Sequence, residues 1–406
     1  MDLLILSPGY PSEMPHFTRG AAEAGARVWG VGDQPAQALP EMARKSLTGY
    51  LQVPSLWRED DVLTRVSQWR EAPKFDRVEC LWEPGMILAA RVRQAFGAPG
   101  LSVDDTVPFR DKEAMKAKLD QAGIRTPKHY RATTVAACWD YAHEIGFPII
   151  LKPIAGAGSA DTYRVNDSDQ LRSVLPKLQH VPEVSVEEFV DGEEYTFDTI
   201  TIEGKIAYYN IAWYRPRPLV ARTNEWISPQ VIALRHVHQK ELTGGVKMGF
   251  DVIKALGFQS GITHMEWYQK ADGEVVFGEI GARPPGARQV DQMNFACDID
   301  VFREWGRSVC FGKFEAVVQR KYNVATIFKR AQGQGRIFRM DGRDWIQRKW
   351  GDHIVWDNLL PVGAMRRNWR QTLVSDGFLM MRHPDLQTTI AMADDVGERL
   401  QLYARP

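Results

Sequence analysis

Hydrophobic and polar positions along the first hundred residues alternate between strand-like and helix-like patterns. Residues 3–7 (LLILS) are a continuous apolar run of strand length, and residues 27–33 (RVWGVGD) are a second that ends in an acid. Between them, SEMPHFTRGAAEAG reads as a helix with a glycine stop. A third strand is expected at residues 77–82 (RVECLW), followed by the helix-like EPGMILAARVRQAFG. Strand, helix and strand at this spacing imply a parallel sheet in a Rossmann-like α/β unit. The fingerprint GxGxxG is missing after the first strand, which argues against NAD at that place.

From Asp104 the texture changes. DDTVPFRDKEAMKAKLDQAGIRTP reads as one helix with charged and apolar faces, stopped by Gly123 and Pro127. FPIILKPIAGAGSADTYRV is a buried strand, a glycine-containing loop and another strand. EVSVEEFVDGEEYTFDTITIEGKIAYYNIAWY predicts successive antiparallel strands with turns at Asp191-Gly192 and Glu203-Gly204. HQKELTGGVKMGFDVIKALGF is mostly helical. Two strands then follow at residues 263–269 and 274–280, joined by a turn around Asp272-Gly273. The tail from Val324 has turn signals at residues 333–335 and 341–342 and ends in the helix-like ADDVGERLQLYA, a small α+β lobe.

The chain has 406 residues. One core rarely grows beyond about 250–300 residues, so several domains are expected. The divisions read here are 1–104, 105–323 with a smaller lid at about 125–195, and 324–406. Lys and Arg total 51, as do Asp and Glu; this neutrality argues against a general nucleic-acid binder. Cys80, Cys138, Cys297 and Cys310 are widely spaced without a CxxC pair, which fits reduced thiols rather than disulfides or zinc. MDLLILSPGY has no basic n-region before a long apolar stretch, and no apolar run is long enough to span a bilayer. A cytoplasmic location without membrane attachment is expected.

Three stretches carry candidate chemistry. In LKPIAGAGSADTYRV a strand delivers Lys152 to a loop with Gly156, Gly158 and Ser159, whose small residues let backbone N–H groups approach phosphate oxygens. An ordinary hairpin turn accounts for the same residues, and the Walker order GxxxxGK[ST] is absent. VEEFVDGEEYTFD is dense in acids (Glu187, Glu188, Asp191, Glu193, Glu194), which usually marks a solvated face; alternatively its strand backbone pairs with an adenine edge and a carboxylate accepts from ribose. HMEWYQKADGEVVFGEIGARPPG places one glutamate in each arm of a hairpin, Glu266 and Glu279. Buried carboxylates are costly unless paired or metal-bound, and two hard oxygen donors suit Mg²⁺. A salt bridge to Arg283 explains one of them but not both.

In this order, the stretches resemble the ATP-grasp superfamily, particularly its carboxylate–amine ligases. CLWEPGMILAARVRQAFGAPGLS is similar to the end of that family's N-terminal domain, and DKEAMKAKLDQAGIRTP to the lysine-bearing helix after it. FPIILKP with AGAGSA resembles the lysine strand and its phosphate-covering loop, and EEFVDGEEYTFD the adenine hinge. The glutamate hairpin resembles the metal-binding one, and GQGRIFRMDGRDWI the C-terminal lobe of L-amino-acid ligases and biotin carboxylases. The resemblance implies α/β and α+β architecture: an ATP-grasp fold with a Rossmann-like N-terminal domain and a small C-terminal α+β lobe. It implies ATP and Mg²⁺ as cofactors, with Mn²⁺ as a substitute. Lys112 and Lys152 are then expected on the ATP phosphates, together with Gly156, Gly158 and Ser159. Glu187 is expected at the adenine side, the backbone of Glu188 and Val190 on the base, and Glu194 on the ribose. Glu266 and Glu279 are expected to hold the metal, and Arg283 to stabilise an acyl-phosphate. VHQKEL is faintly similar to a biotin carboxylase segment and adds Lys240 as a catalytic candidate.

The activity this implies is activation of a carboxylate by ATP as an acyl-phosphate, then amide formation with an amine and release of ADP and phosphate. The partners are small-molecule acids and amines, with a homodimer compatible. The alternatives are a bicarbonate-activating enzyme like biotin carboxylase and a nucleotide-binding regulator without catalysis. Two positions depart from the family pattern: Gly281 stands where Asn is usual, and Asp161 where Gly is frequent. Residues 210–230, rich in Trp, Tyr and Arg, either line the acceptor pocket, with Arg215, Arg217 and Arg222 clamping a carboxylate, or form a surface hairpin.

Overall fold

The computed structural model describes residues 1–155 and 161–406. Gly156, Gly158 and Ser159 therefore lie outside the described residues. Asp2–Leu6 is buried at every position. It pairs in parallel with Arg27–Gly32 on one side and Arg77–Glu79 on the other. Leu47–Gln52 adds a fourth parallel strand at the edge. The apolar pattern did not mark this last strand, because an edge strand is only half-buried and needs no continuous apolar run. Helices Met14–Glu23 and Met86–Phe96 flank the sheet.

The single helix expected from Asp104 onward is three pieces: Val103–Thr106, a 3₁₀ turn at Val107–Phe109, and Lys112–Gln121. Pro108 stands in the 3₁₀ turn, and Asp111 starts the third piece afresh. Its carboxylate accepts from the backbone N–H groups of Glu113 (3.0 Å) and Ala114 (2.9 Å). This break places Lys112 at a helix start rather than midway along one.

A small antiparallel sheet follows, in the order His129–Ala132, Val184–Glu188, Ile149–Pro153, Tyr163–Val165. Leu151, Val165, Leu171 and Val186 form its own core. The larger sheet has nine strands and runs through the rest of the molecule. Its path is Val275–Gly281, Gly261–Gln269, Glu193–Ile202, Ala212–Arg215, Gln230–Ala233, Asn323–Phe328, Phe378–His383 and Ile354–Asp357, with Lys205–Asn210 also on Glu193–Ile202. Strands on both sides of position 323 share this sheet, so hydrogen bonding is continuous where a lobe boundary was expected. A three-stranded sheet of Gln332–Gly333, Gln401–Arg405 and Arg336–Asp341 lies beyond it.

Strand alternation divides the large sheet between two cores. Met265, Trp267, Phe197 and Ile280 join one, under helices Lys112–Gln121 and Thr243–Leu256. Ile262 and Ile200 join the other, with Phe17, Val290 and Trp305 of the facing helices. Asp198, His264 and Glu266 share the parity of that second group. The chain thus presents polar side chains on one face of otherwise apolar strands.

Candidate active site

The expected glutamate hairpin is present, and Glu266 and Glu279 sit directly opposite each other in its register. A β-bulge follows at once: Trp267 pairs with Phe277, leaving Gly278 as the extra residue. The bulge lets Phe277 pack in the core while Glu279, two positions on, faces the same side as Glu266. Glycine is required there by close approach. A Cβ on Gly278 would stand 2.8 Å from the Glu266 carbonyl oxygen.

Both glutamates line a cavity of about 520 Å³ between the two sheets and the N-terminal domain. Lys112, Lys152 and Arg283 line it too, as do Glu187, Glu188, Val190 and Glu194. Nine of the expected groups, from Lys112 to Arg283 in the chain, therefore meet in one place. The Lys112 ammonium is 3.2 Å from Glu279. Lys240 is not in this group: it is exposed in the 3₁₀ turn Lys240–Leu242 and does not line the cavity.

Arg283 is anchored from the N-terminal domain. Its Nε donates to Glu83 at 2.7 Å, and Arg110 bonds the other Glu83 oxygen. Burial would lower the Arg283 guanidinium, but the Glu83 carboxylate holds it above its ordinary range. Glu83 and Arg110 were missed in the sequence. They lie 200 and 173 positions away from Arg283 in the chain, and nothing in WEPG marks Glu83 as a partner.

The Glu187 carboxylate is held by partners within the fold. It sits between two lysines, 2.6 Å from Lys116 and 2.9 Å from Lys152. Burial alone would push its carboxyl up, yet the Lys116 and Lys152 ammonium groups outweigh this and hold it far below the usual range. Its side chain is 4% exposed, and Lys116 is fully buried. Lys116 also escaped the sequence reading, although it stands one helical turn from Lys112. Glu188 turns outward to Arg125 at 2.9 Å, and its backbone N–H donates to the Lys128 carbonyl at 2.8 Å. Any base pairing by Glu188 must therefore use its carbonyl oxygen.

Residues 210–230 form neither a surface hairpin nor a three-arginine clamp. Strand Ala212–Arg215 leads into helix Pro218–Thr223, and the arginines diverge. Arg215 leaves the cavity for Gln230 (2.7 Å) and Asp394 (3.0 Å). Arg217 lies 3.2 Å from Glu194, donates to the Val190 carbonyl at 2.8 Å and stacks between the Phe189 and Tyr268 rings. Arg222 lines the cavity and donates to the Arg370 carbonyl at 2.8 Å. Burial and the Glu266 charge push the Glu194 carboxyl up to about 8 in spite of Arg217.

Glu266 is held by a buried chain of groups. His264 Nδ1 is 2.6 Å from Asp198, its Nε2 is 3.5 Å from Glu266, and Tyr214 donates to Glu266 at 3.3 Å. Burial would lower the His264 imidazole, but Asp198, with Glu266 adding to it, raises it to about 9. Asp161 adopts φ +49° and places its carboxylate 3.1 Å from His180. That direction satisfies the acid without a phosphate partner.

The donor set fits Mg²⁺ by its chemistry. Two carboxylates face one another across neighbouring strands, and Mg²⁺ accepts one or two such ligands, completing its shell with phosphate and water. Among the described residues no cluster of three or more His, Cys, Asp or Glu groups offers an all-protein cage. The backbone of Gly281 is not in the left-handed region. A Cβ there would meet Arg283 Cγ at 3.1 Å, which that flexible side chain can relieve.

Residues 145–290 match the family model of the ATP-grasp domain. The chain carries an ATP-grasp domain. It is 24% identical over 219 residues to the L-arginine-specific L-amino acid ligase of Bacillus subtilis, covering 52% of each chain. It is 26% identical over 280 residues to the alanine–anticapsin ligase of Bacillus subtilis (strain 168), covering 63% of this chain and 58% of that one. The chain thus spans about half the length of the curated relatives it matches. Over its whole length it superposes on the L-amino acid ligase from Bacillus licheniformis with a TM-score of 0.80 and 21% identity, covering 99% of that chain. On N5-carboxyaminoimidazole ribonucleotide synthetase from Thermotoga maritima the TM-score is 0.72 with 16% identity, covering 100% of this chain and 99% of that one. The ATP-grasp architecture expected from the motif order is therefore the fold of this chain. Among the described residues no helix is long and apolar enough to cross a membrane.

Proposed function

We propose that this protein is an ADP-forming carboxylate–amine ligase that joins small molecules, amino acids among them, through an amide bond. The observation that carries this reading is the meeting of Glu266, Glu279, Lys112, Lys152 and Arg283 around one cavity. The names of the relatives, an arginine-specific amino acid ligase and an alanine–anticapsin ligase, support amino acids as substrates.

The reaction has two steps. A substrate carboxylate oxygen attacks the γ-phosphorus of ATP, the bond to the β-phosphate oxygen breaks, and ADP leaves. The neutral amine then attacks the acyl carbon, phosphate leaves, and the amine's extra proton passes to phosphate or solvent. Lys112 and Lys152 offset phosphate charge, and Lys152 is kept in place by Glu187. Arg283, oriented by Glu83, meets the charge developing on the acyl-phosphate. The Val190 and Glu188 backbone faces the base, and Glu194 the ribose. Glu266 and Glu279 would hold Mg²⁺, which would offset phosphate charge there. Most of the rate enhancement then comes from position and fixed charge.

The test is a matrix of amino acids and other carboxylates offered in pairs with ATP and Mg²⁺, read by ADP and phosphate release and by mass spectrometry of the product. An amide product with equal ADP is expected. ATP turnover without any condensed product across the matrix would overturn the reading.

A further inference from the structure

A second cavity of about 220 Å³ opens beside the first and shares two wall residues with it, Tyr10 and Trp82. It sits at the carboxyl ends of the parallel strands Asp2–Leu6 and Arg27–Gly32, the edge of an open α/β sheet where ligands bind. No role assigned above uses it. Its walls are aromatic. Trp57 packs edge-on against Trp82 with ring centroids 5.3 Å apart, and Tyr10 meets the same indole at 6.4 Å. Trp57 and Tyr10 are nevertheless 68% and 57% exposed, so their faces are not consumed by the core.

The cavity also carries one sign of charge. Asp33 is an exposed carboxylate at its wall, and among the described lining residues there is no Lys, Arg or His. One Asp33 oxygen lies 3.4 Å from the Leu56 backbone N–H, which sets the direction of the carboxylate. Burial, with Asp33 adding to it, pushes the neighbouring Tyr50 hydroxyl up to about 12. Such a lining disfavours a phosphate or carboxylate ligand. Aromatic faces with a nearby carboxylate instead suit an organic cation, and a planar guanidinium both stacks on rings and pairs with a carboxylate.

The position relates this cavity to the reaction. Trp82 forms the shared wall, and the next residue, Glu83, holds Arg283. Tyr10 and Trp82 thus border both the cavity lined by Arg283 and the side cavity lined by Asp33. Resting on the ligase reading, we propose that this side cavity is the side-chain subsite for an amino-acid substrate with a cationic side chain, of guanidinium or alkylammonium type.

L-Arginine and its neutral isostere L-citrulline test this with the full-length protein. In the coupled assay, L-arginine is expected to show a KM about tenfold or more below that of L-citrulline. Asp33→Asn, which keeps an acceptor for Leu56, should erase that preference by raising the KM for arginine while the KM for ATP stays unchanged. Trp57→Ala, at an exposed position, should raise the same KM. Equal use of the two amino acids, or an unchanged preference in Asp33→Asn, would overturn the proposal. The binding of L-arginine measured by calorimetry, in wild type and Asp33→Asn, separates this from the ligase reading. If no amino acid supports product formation but arginine binds and Asp33→Asn weakens it, the ligase reading fails and the subsite stands. If neither protein binds arginine, the subsite falls whatever the reaction proves to be.

Discussion

Glu187 and Glu279 face the same cavity and are both paired with lysine, yet they are built in opposite ways. Glu187 is 4% exposed and lies between two ammonium groups, Lys116 and Lys152. Glu279 is 28% exposed, with Lys112 at 3.2 Å and a second carboxylate, Glu266, directly across the hairpin. The first carboxylate is over-compensated by fixed charge, and the second stands in a pair that still asks for positive charge. Charge saturated inside the fold supports structure. Charge left incompletely balanced at a cavity is available for a ligand.

The sharpest way to break this contrast is to neutralise the two acids separately. Glu187→Gln leaves Lys116 and Lys152 buried without their counter-charge, which should cost about 3–5 kcal/mol of stability. Denaturant unfolding measures it. The pH dependence has a definite sign. The Glu187 carboxyl is held below its unfolded value, so its contribution is complete above about pH 4.3 and is lost as pH falls through its folded value. Unfolding free energy should therefore drop in acid, and Glu187→Gln should flatten that limb.

Glu279→Gln and Arg283→Ala should do the converse. Each is expected to reduce turnover by about 10²–10³-fold, the effect of removing one charge-stabilising group, with little change in thermal midpoint. Steady-state rates together with melting curves on the same samples distinguish the two classes. Near-normal turnover in a folded Arg283→Ala protein would remove that residue from the chemistry.

The hairpin was legible in the sequence for a clear reason. Period-two alternation and the Asp272-Gly273 turn are local, and the turn closes as expected, with Lys270 N–H donating to the Glu274 carbonyl at 2.9 Å. The motif order likewise gave the fold, because each motif is a short stretch whose residues act together. What stayed hidden depends on distant contacts. Glu83, 200 positions away, supports Arg283 and is itself held by Arg110, and Lys116 looks like any helical lysine until the sheet closes over it. The bulge was not legible either: Phe277 and Glu279 are two apart, and simple alternation would put them on one face, which the bulge at Gly278 prevents.

That bulge supplies the next test. Gly278→Ala brings a methyl group to 2.8 Å from the Glu266 carbonyl oxygen, against backbone that cannot swing aside. Overpacking of this kind should cost about 1–3 kcal/mol and should raise the Mg²⁺ concentration needed for half-maximal ADP formation. A mild change comes last. Gly281→Asn offers an added oxygen beside Glu279 without left-handed strain, since only the Arg283 side chain has to shift. The Mg²⁺ midpoint should move down by a few-fold at most, because water already serves as a ligand where protein oxygens are few. An unchanged midpoint would place residue 281 away from the metal.

The central claim, that the charges around this cavity run acyl-phosphate chemistry, is tested most directly by the nucleotide product. Incubation with ATP, Mg²⁺ and a productive acid–amine pair, followed by chromatography, should show ADP and phosphate rising one for one with the amide. AMP and pyrophosphate in that stoichiometry would contradict the account.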